Sequence, residues 1–171
     1  MISLKTLAAA AALSVASVCA TAQDLKFAHI NSQEVVSSLP EFAQAQAQLQ
    51  EEATKLEDQL KVMSADAQQK IQDYVAKRDS LPELIRATKE KEIQDLQERI
   101  QSFQNLAQQS ISQKEQQLMS PIIEKYNKAL EEVGKENKFI YIFDLAAQVV
   151  IYHSEQSIDA APLVKAKLGV K

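Results

Sequence analysis

Few side chains in this sequence could carry chemistry. There are two histidines, His29 and His153, one cysteine, Cys19, and an aspartate, Asp144, closing the apolar run FIYIFD. Both histidines fall on expected strands, where they could meet across a sheet and hold a metal ion. Two imidazoles with no cysteine and no evident third ligand do not specify a zinc site, so sheet-surface histidines are the default. Asp144 reads as the anchor of a turn rather than as a base. No nucleophile and base stand at a recognisable spacing. A phosphate-binding GxxxxGK[ST] loop is excluded, because the two glycines, Gly134 and Gly169, lie 35 residues apart. The expectation is a protein with no catalytic residue, no cofactor and no metal, and therefore not an enzyme.

The cysteine belongs to a segment expected to be removed. Residues 1–22, MISLKTLAAAAALSVASVCATA, place one lysine before an alanine-rich apolar run that ends in Ala20-Thr21-Ala22. This is the pattern of a secretory signal peptide, cleaved before Gln23. The alternative is a lipoprotein signal lipidated at Cys19, against which stands Val18, where a small residue is wanted. Cleavage leaves 149 residues with no cysteine, 18 Lys+Arg and 23 Asp+Glu, a net charge of −5. Such a chain has no disulfide to stabilise it and no basic excess for nucleic acid.

What must position the remaining residues is mostly helix. Two glycines, four prolines and 21 glutamines allow few turns, and few turns in this length mean long helices. Phe42, Leu49, Leu56 and Met63 repeat every seven residues, and Ala53, Leu60, Ala67 and Tyr74 form a second series. Together they make a coiled-coil seam. Ile93, Leu96, Ile100, Phe103 and Ala107 continue the pattern beyond Pro82. The tetrapeptide SLPE occurs at 38–41 and again at 80–83. Read as a capping box with proline in the first turn, each copy opens a helix, and the second copy also ends the first helix. Two helices of nearly equal length follow, about 41–79 and 82–120. Folded back on one another, they pair Leu56 with Ala107, Leu60 with Phe103, Met63 with Ile100 and Ala67 with Leu96, always at a residue sum of 163. Each arm would extend roughly 60 Å. Lys70 would then face Ile93, Tyr74 Lys89 and Leu49 Lys114. These pairs leave two readings open: loose pairing with local register shifts, or an arm built to flex.

The rest, 23–40 and 121–171, forms the body. KFAHIN (26–31), FIYIFD (139–144) and VVIYHS (149–154) read as strands, the last two as a hairpin and FIYIFD as buried on both faces. Pro121 should kink or restart the second long helix. A helix to about Val133 and a final one over 160–168, capped by Asp159, complete the body. A core of about 69 residues with three strands and no staple is marginal, and its open edges invite pairing. An oligomer solves both problems. The fold class is α+β: a long antiparallel helical hairpin projecting from a small β-rich oligomerisation body. The body residues expected to matter are Phe27, Ile30, Ile140, Ile142, Val149 and Ile151.

The order signal peptide, LKFAHINSQEVV, long hairpin and NKFIYIFDLAAQVVIYHSEQSIDAAPLVKAKL resembles the Skp/OmpH family of periplasmic chaperones over essentially the whole mature chain. The resemblance implies a homotrimer whose bodies form a β-barrel and whose arms surround a cavity. It implies ATP-independent holding of unfolded outer-membrane proteins in the periplasm. Such clients expose apolar faces and strand edges until they close in lipid. Flexible arms with many weak contacts suit them. Ile71, Val75, Ile85 and Leu106, off the expected seam, are the candidate client contacts; they could equally broaden the hairpin's own interface or pack on a neighbouring arm. The sequence departs from the basic members of that family. Its distal arm, 66–92, carries six basic and six acidic residues, which counts against contact with lipopolysaccharide or a membrane surface. The competing reading is a coiled-coil structural or tethering protein of the cell envelope.

Overall fold

The computed structural model describes residues 25–170. The expected signal peptide, its cleavage site and Cys19 lie outside the described residues. Strand β1 (Lys26–Ile30) leads into a short helix α1 (Ser32–Ser37), then the first arm helix α2 (Pro40–Lys77). A single 3-10 turn, Arg78–Ser80, reverses the chain into α3 (Glu83–Asn137), which returns to the body and continues into β2 (Phe139–Asp144). A two-residue strand β3 (Ile158–Asp159) and helix α4 (Ala161–Leu168) end the fold.

The two SLPE copies mark the helix boundaries, but not as capping boxes. Leu39 and Pro82 occupy the N-cap positions, and neither helix start has a side-chain cap. The serines lie outside the caps and bond backwards. Ser38 Oγ donates to the Val35 carbonyl and Ser80 Oγ to the Lys77 carbonyl, both at 2.7 Å. Each therefore closes the turn before it. Proline sets this outcome: its fixed φ places the helix start at or just after itself, moving the serine out of capping reach. Glu41 instead pairs with Lys125 across the base of the arm, and Glu83 with Arg86 in its own helix.

Pro121 does not divide the second helix, which runs unbroken for 55 residues. The proline is exposed, while Ile122, Tyr126, Ala129 and Val133 form a buried stripe at spacings of three and four. Burial of that stripe against the body outweighs the one hydrogen bond that proline lacks. The core gathers there. Ala28 and Ile30 of β1, Val35 and Leu39, and Val164 of α4 pack on the α3 stripe; Ile30, Leu39, Val35 and Val164 are each less than 2% exposed.

The sheet departs from the expected hairpin. Its order is β2-β1-β3, and both pairings are parallel. Residues 149–154 form no strand. Asp144 accepts the Ala146 N–H, the Leu145 N–H reaches back to the Ile30 carbonyl, and Gln148 takes a left-handed backbone at φ 55°. This turn carries the chain off the end of β2 instead of alongside it. A parallel strand on the far side of β1 requires a crossover, and 149–157 provide it. FIYIFD also differs from a strand buried on both faces, since Ile140, Tyr141 and Phe143 are all exposed in the single chain.

Candidate functional site: an apolar sheet face and a helical arm

Alternation along β1 and β2 sorts their side chains between two faces. Ala28, Ile30 and Ile142 turn toward the helices. Phe27, His29, Tyr141 and Phe143 turn away from them. The register pairs Phe27 with Tyr141 and His29 with Phe143. Phe27 stacks on Tyr141 with ring centroids 6.3 Å apart, and Tyr141 on Phe143 at 5.8 Å. The 149–154 segment passes over this face and adds Val149, Ile151 and Tyr152, of which Ile151 is fully exposed at 101%. Between segment and sheet runs a groove of 630 Å³ lined by Phe27, His29, Phe143, Ile151 and His153. A contiguous apolar patch of this kind on one chain marks an interaction surface.

The six body residues named from the sequence separate accordingly. Ile30 is buried and Ile142 packs against the core; both belong to the chain's own interior. Phe27, Ile140, Val149 and Ile151 are exposed. Tyr141, Phe143 and Tyr152 join them, and were signalled by their aromatic, two-faced context in FIYIFD and VVIYHS.

Asp144 holds the end of the sheet. Ser32 donates to it twice, from its backbone N–H at 3.1 Å and its hydroxyl at 2.6 Å, and Ala146 N–H donates at 3.0 Å. Burial pushes its carboxyl upward, but these donors outweigh burial and hold it below the usual carboxylate range. Nearby on α3, burial and, secondarily, the Asp144 charge push Tyr126 up to about 12. These two groups do structural work. The histidines do meet: His29 and His153 stack with centroids 4.2 Å apart, and His29 Nδ1 shares a 2.9 Å hydrogen bond with Ser157 Oγ. Among the described residues, no group of three or more His, Cys, Asp or Glu is placed to hold a metal. Among them, too, no helix is long and apolar enough to cross a membrane.

The arm is a different surface. Leu56 and Leu60 meet Phe103 and Ala107 around one cleft, and Lys70 and Tyr74 meet Lys89 and Ile93 around another, as the constant sum requires. Tyr74 donates to Glu90 across the seam. Beyond the region next to the body, only Ala67 and Leu96 are buried. Of the four candidate contacts, Val75, Leu106 and Ile85 are exposed at 68, 63 and 44%. Ile71 is half-buried, in phase with Ala67 and Tyr74 along the seam. Val62 and Leu84, neither of them among the four candidate contacts, are as exposed as any apolar arm residue, at 71 and 78%. Val62 sits beside the seam residue Met63, and Leu84 follows the tip proline; their position off the heptad was the available signal.

A small sheet-and-helix body bears a long helical hairpin, with exposed apolar side chains on both; the chain is mostly helical with a small parallel sheet. The family model described as "Outer membrane protein (OmpH-like)" matches residues 26–168. The chain belongs to that family. The crystal structure of a candidate outer membrane chaperone (OmpH-like) from Caulobacter crescentus CB15 is similar in fold, with a TM-score of 0.72 at 17% identity. The match covers 84% of this chain and 83% of that one. No curated protein matches the chain.

Proposed function

We propose that the protein is a periplasmic, ATP-independent holdase that takes up unfolded outer-membrane β-barrel proteins between helical arms and keeps them from aggregating. Family membership over residues 26–168 is the observation that carries this reading. The arm supports it: its exposed apolar residues are dispersed along both helices, which suits many weak contacts and no single sequence. The body supports association of several copies, three by family resemblance, through the sheet face that carries Phe27, Tyr141, Phe143 and Ile151. Covering that face, and with it the open edge of β2, removes an aggregation hazard from the protein itself. Since the distal arm carries equal numbers of acidic and basic residues, client binding depends little on salt.

The test is an aggregation assay on residues 23–171. A urea-unfolded outer-membrane β-barrel protein is diluted into buffer without nucleotide, and light scattering is followed over a range of protein-to-client ratios. The proposal expects suppression that saturates near three chains per client. Folded, oligomeric protein that suppresses nothing at any ratio would favour a tether docking on a folded envelope partner.

A further inference from the structure

The stacked histidines lie where the crossing segment meets the sheet, and the described contacts there are few. Residues 149–154 make no strand pairing, and Val149, Ile151 and Tyr152 are largely exposed. Val150 is the half-buried side chain of the segment, and His153 stacks on His29 of β1 at 4.2 Å with their planes 25° apart. Two neutral imidazoles stack favourably at this distance. Two imidazolium ions there repel; Phe27, Phe143 and Val149 beside them carry no charge, and the carboxylate opposite His29 in the register, Asp159, is engaged by the Ala161 N–H.

Several titratable groups surround the pair. Lys26 is on β1, Tyr141 on β2, Tyr152 and Glu155 on the crossing segment, and Asp159 on β3 opposite His29. Asp144 is engaged by Ser32 and Ala146 on the helix-covered side, and Asp159 accepts the Ala161 N–H at 2.9 Å. Glu155 is exposed. Among the described residues, no ion pair joins a carboxylate to either imidazole.

We propose that His29 and His153 form a pH-sensitive latch, closed when the pair is neutral, that releases residues 149–154 from the sheet face when both rings are protonated. Histidine is the side chain that changes charge in mildly acid solution, at about pH 6.5 when unperturbed. The sign follows from the repulsion: closure is favoured while the rings are neutral and lost as both take up protons. Opening displaces Val149 and Ile151 from the apolar face through which the bodies associate. That consequence for assembly rests on the self-association reading above; release of the segment within one chain does not.

The experiment uses the mature chain, which contains no cysteine, with a nitroxide label at Glu155→Cys. Paramagnetic resonance reports the label's mobility at pH 7.5 and 5.5. The latch predicts a mobile fraction at least about threefold larger at the lower pH, with the step absent in both His29→Gln and His153→Gln. Mobility that does not change with pH, or a step that survives in both variants, overturns the latch. Sedimentation of the unlabelled protein gives a second reading. The latch predicts association about tenfold or more weaker at pH 5.5, and little change in His153→Gln. A chain that is monomeric at both pH values refutes the self-association reading, while the label mobility still decides the latch.

Discussion

Body and arm are made from the same few residue types, yet they use them in opposite ways. In the body, Ile30, Val35, Leu39 and Val164 are almost wholly removed from water, and Asp144 binds three donors to tie β2 to the start of α1. In the arm, the side chains buried beyond the base are Ala67 and Leu96, and the seam is interrupted by Lys70, Lys89 and a tyrosine–glutamate pair. Burial stabilises in proportion to apolar area removed from water, so most of the folding free energy resides in the body. The arm is held mainly by helix propensity, half-buried contacts and exposed ion pairs such as Lys55–Glu51 and Lys61–Glu57, each contributing little. A chain that places its stability at one end leaves the other end free to deform.

Substitutions in the two regions test this contrast. The largest effect is expected from Ile30→Ala, which should cost about 3 kcal/mol in urea unfolding, against about 1 kcal/mol for the half-buried arm residue Leu60→Ala. Equal costs would mean that the arm is as well packed as the body. Asp144→Asn comes next, at about 1–2 kcal/mol, because Ser32 and Ala146 lose a charged acceptor. The wild-type carboxyl lies below the usual range, so its contribution is present above about pH 4 and fades as pH falls through the lowered value. In the variant that part of the acid dependence should disappear. Tyr126 acts at the other extreme. Raised to about 12 in the fold, it stabilises fully below about pH 10 and loses that contribution as pH rises toward 12. Tyr126→Phe should flatten the alkaline limb of the stability profile. The smallest effect is a gain. Lys138 ends α3 in the left-handed region at φ 58°, where glycine is at ease, and Lys138→Gly should add about 1 kcal/mol.

The sequence disclosed the arm more fully than the body. Heptads fix the pairing of Leu56 with Ala107 and Leu60 with Phe103 because a coiled-coil register is a local, periodic signal, and the SLPE boundaries are written in proline geometry. The body depended on non-local choices. Whether VVIYHS pairs with FIYIFD or crosses over the sheet is decided by the turn at Asp144 and by the short strand Ile158–Asp159, too brief to show a pattern. The continuity of α3 past Pro121 was hidden for a similar reason, since it is the body packing of Ile122, Tyr126 and Val133 that overrides the local break. The meeting of His29 with His153 was foreseeable as a possibility; its placement under a crossing segment was not.

Hydrogen exchange on residues 23–171, alone and with an unfolded outer-membrane β-barrel protein, distinguishes a stable body carrying a soft arm from a uniformly stable chain. Fast exchange is expected along 46–116 in the free protein, slow exchange in β1 and in α3 around Tyr126, and new protection near Val75, Ile85 and Leu106 when the client is present. An arm as protected as the body when free, and unchanged by the client, would contradict the soft arm.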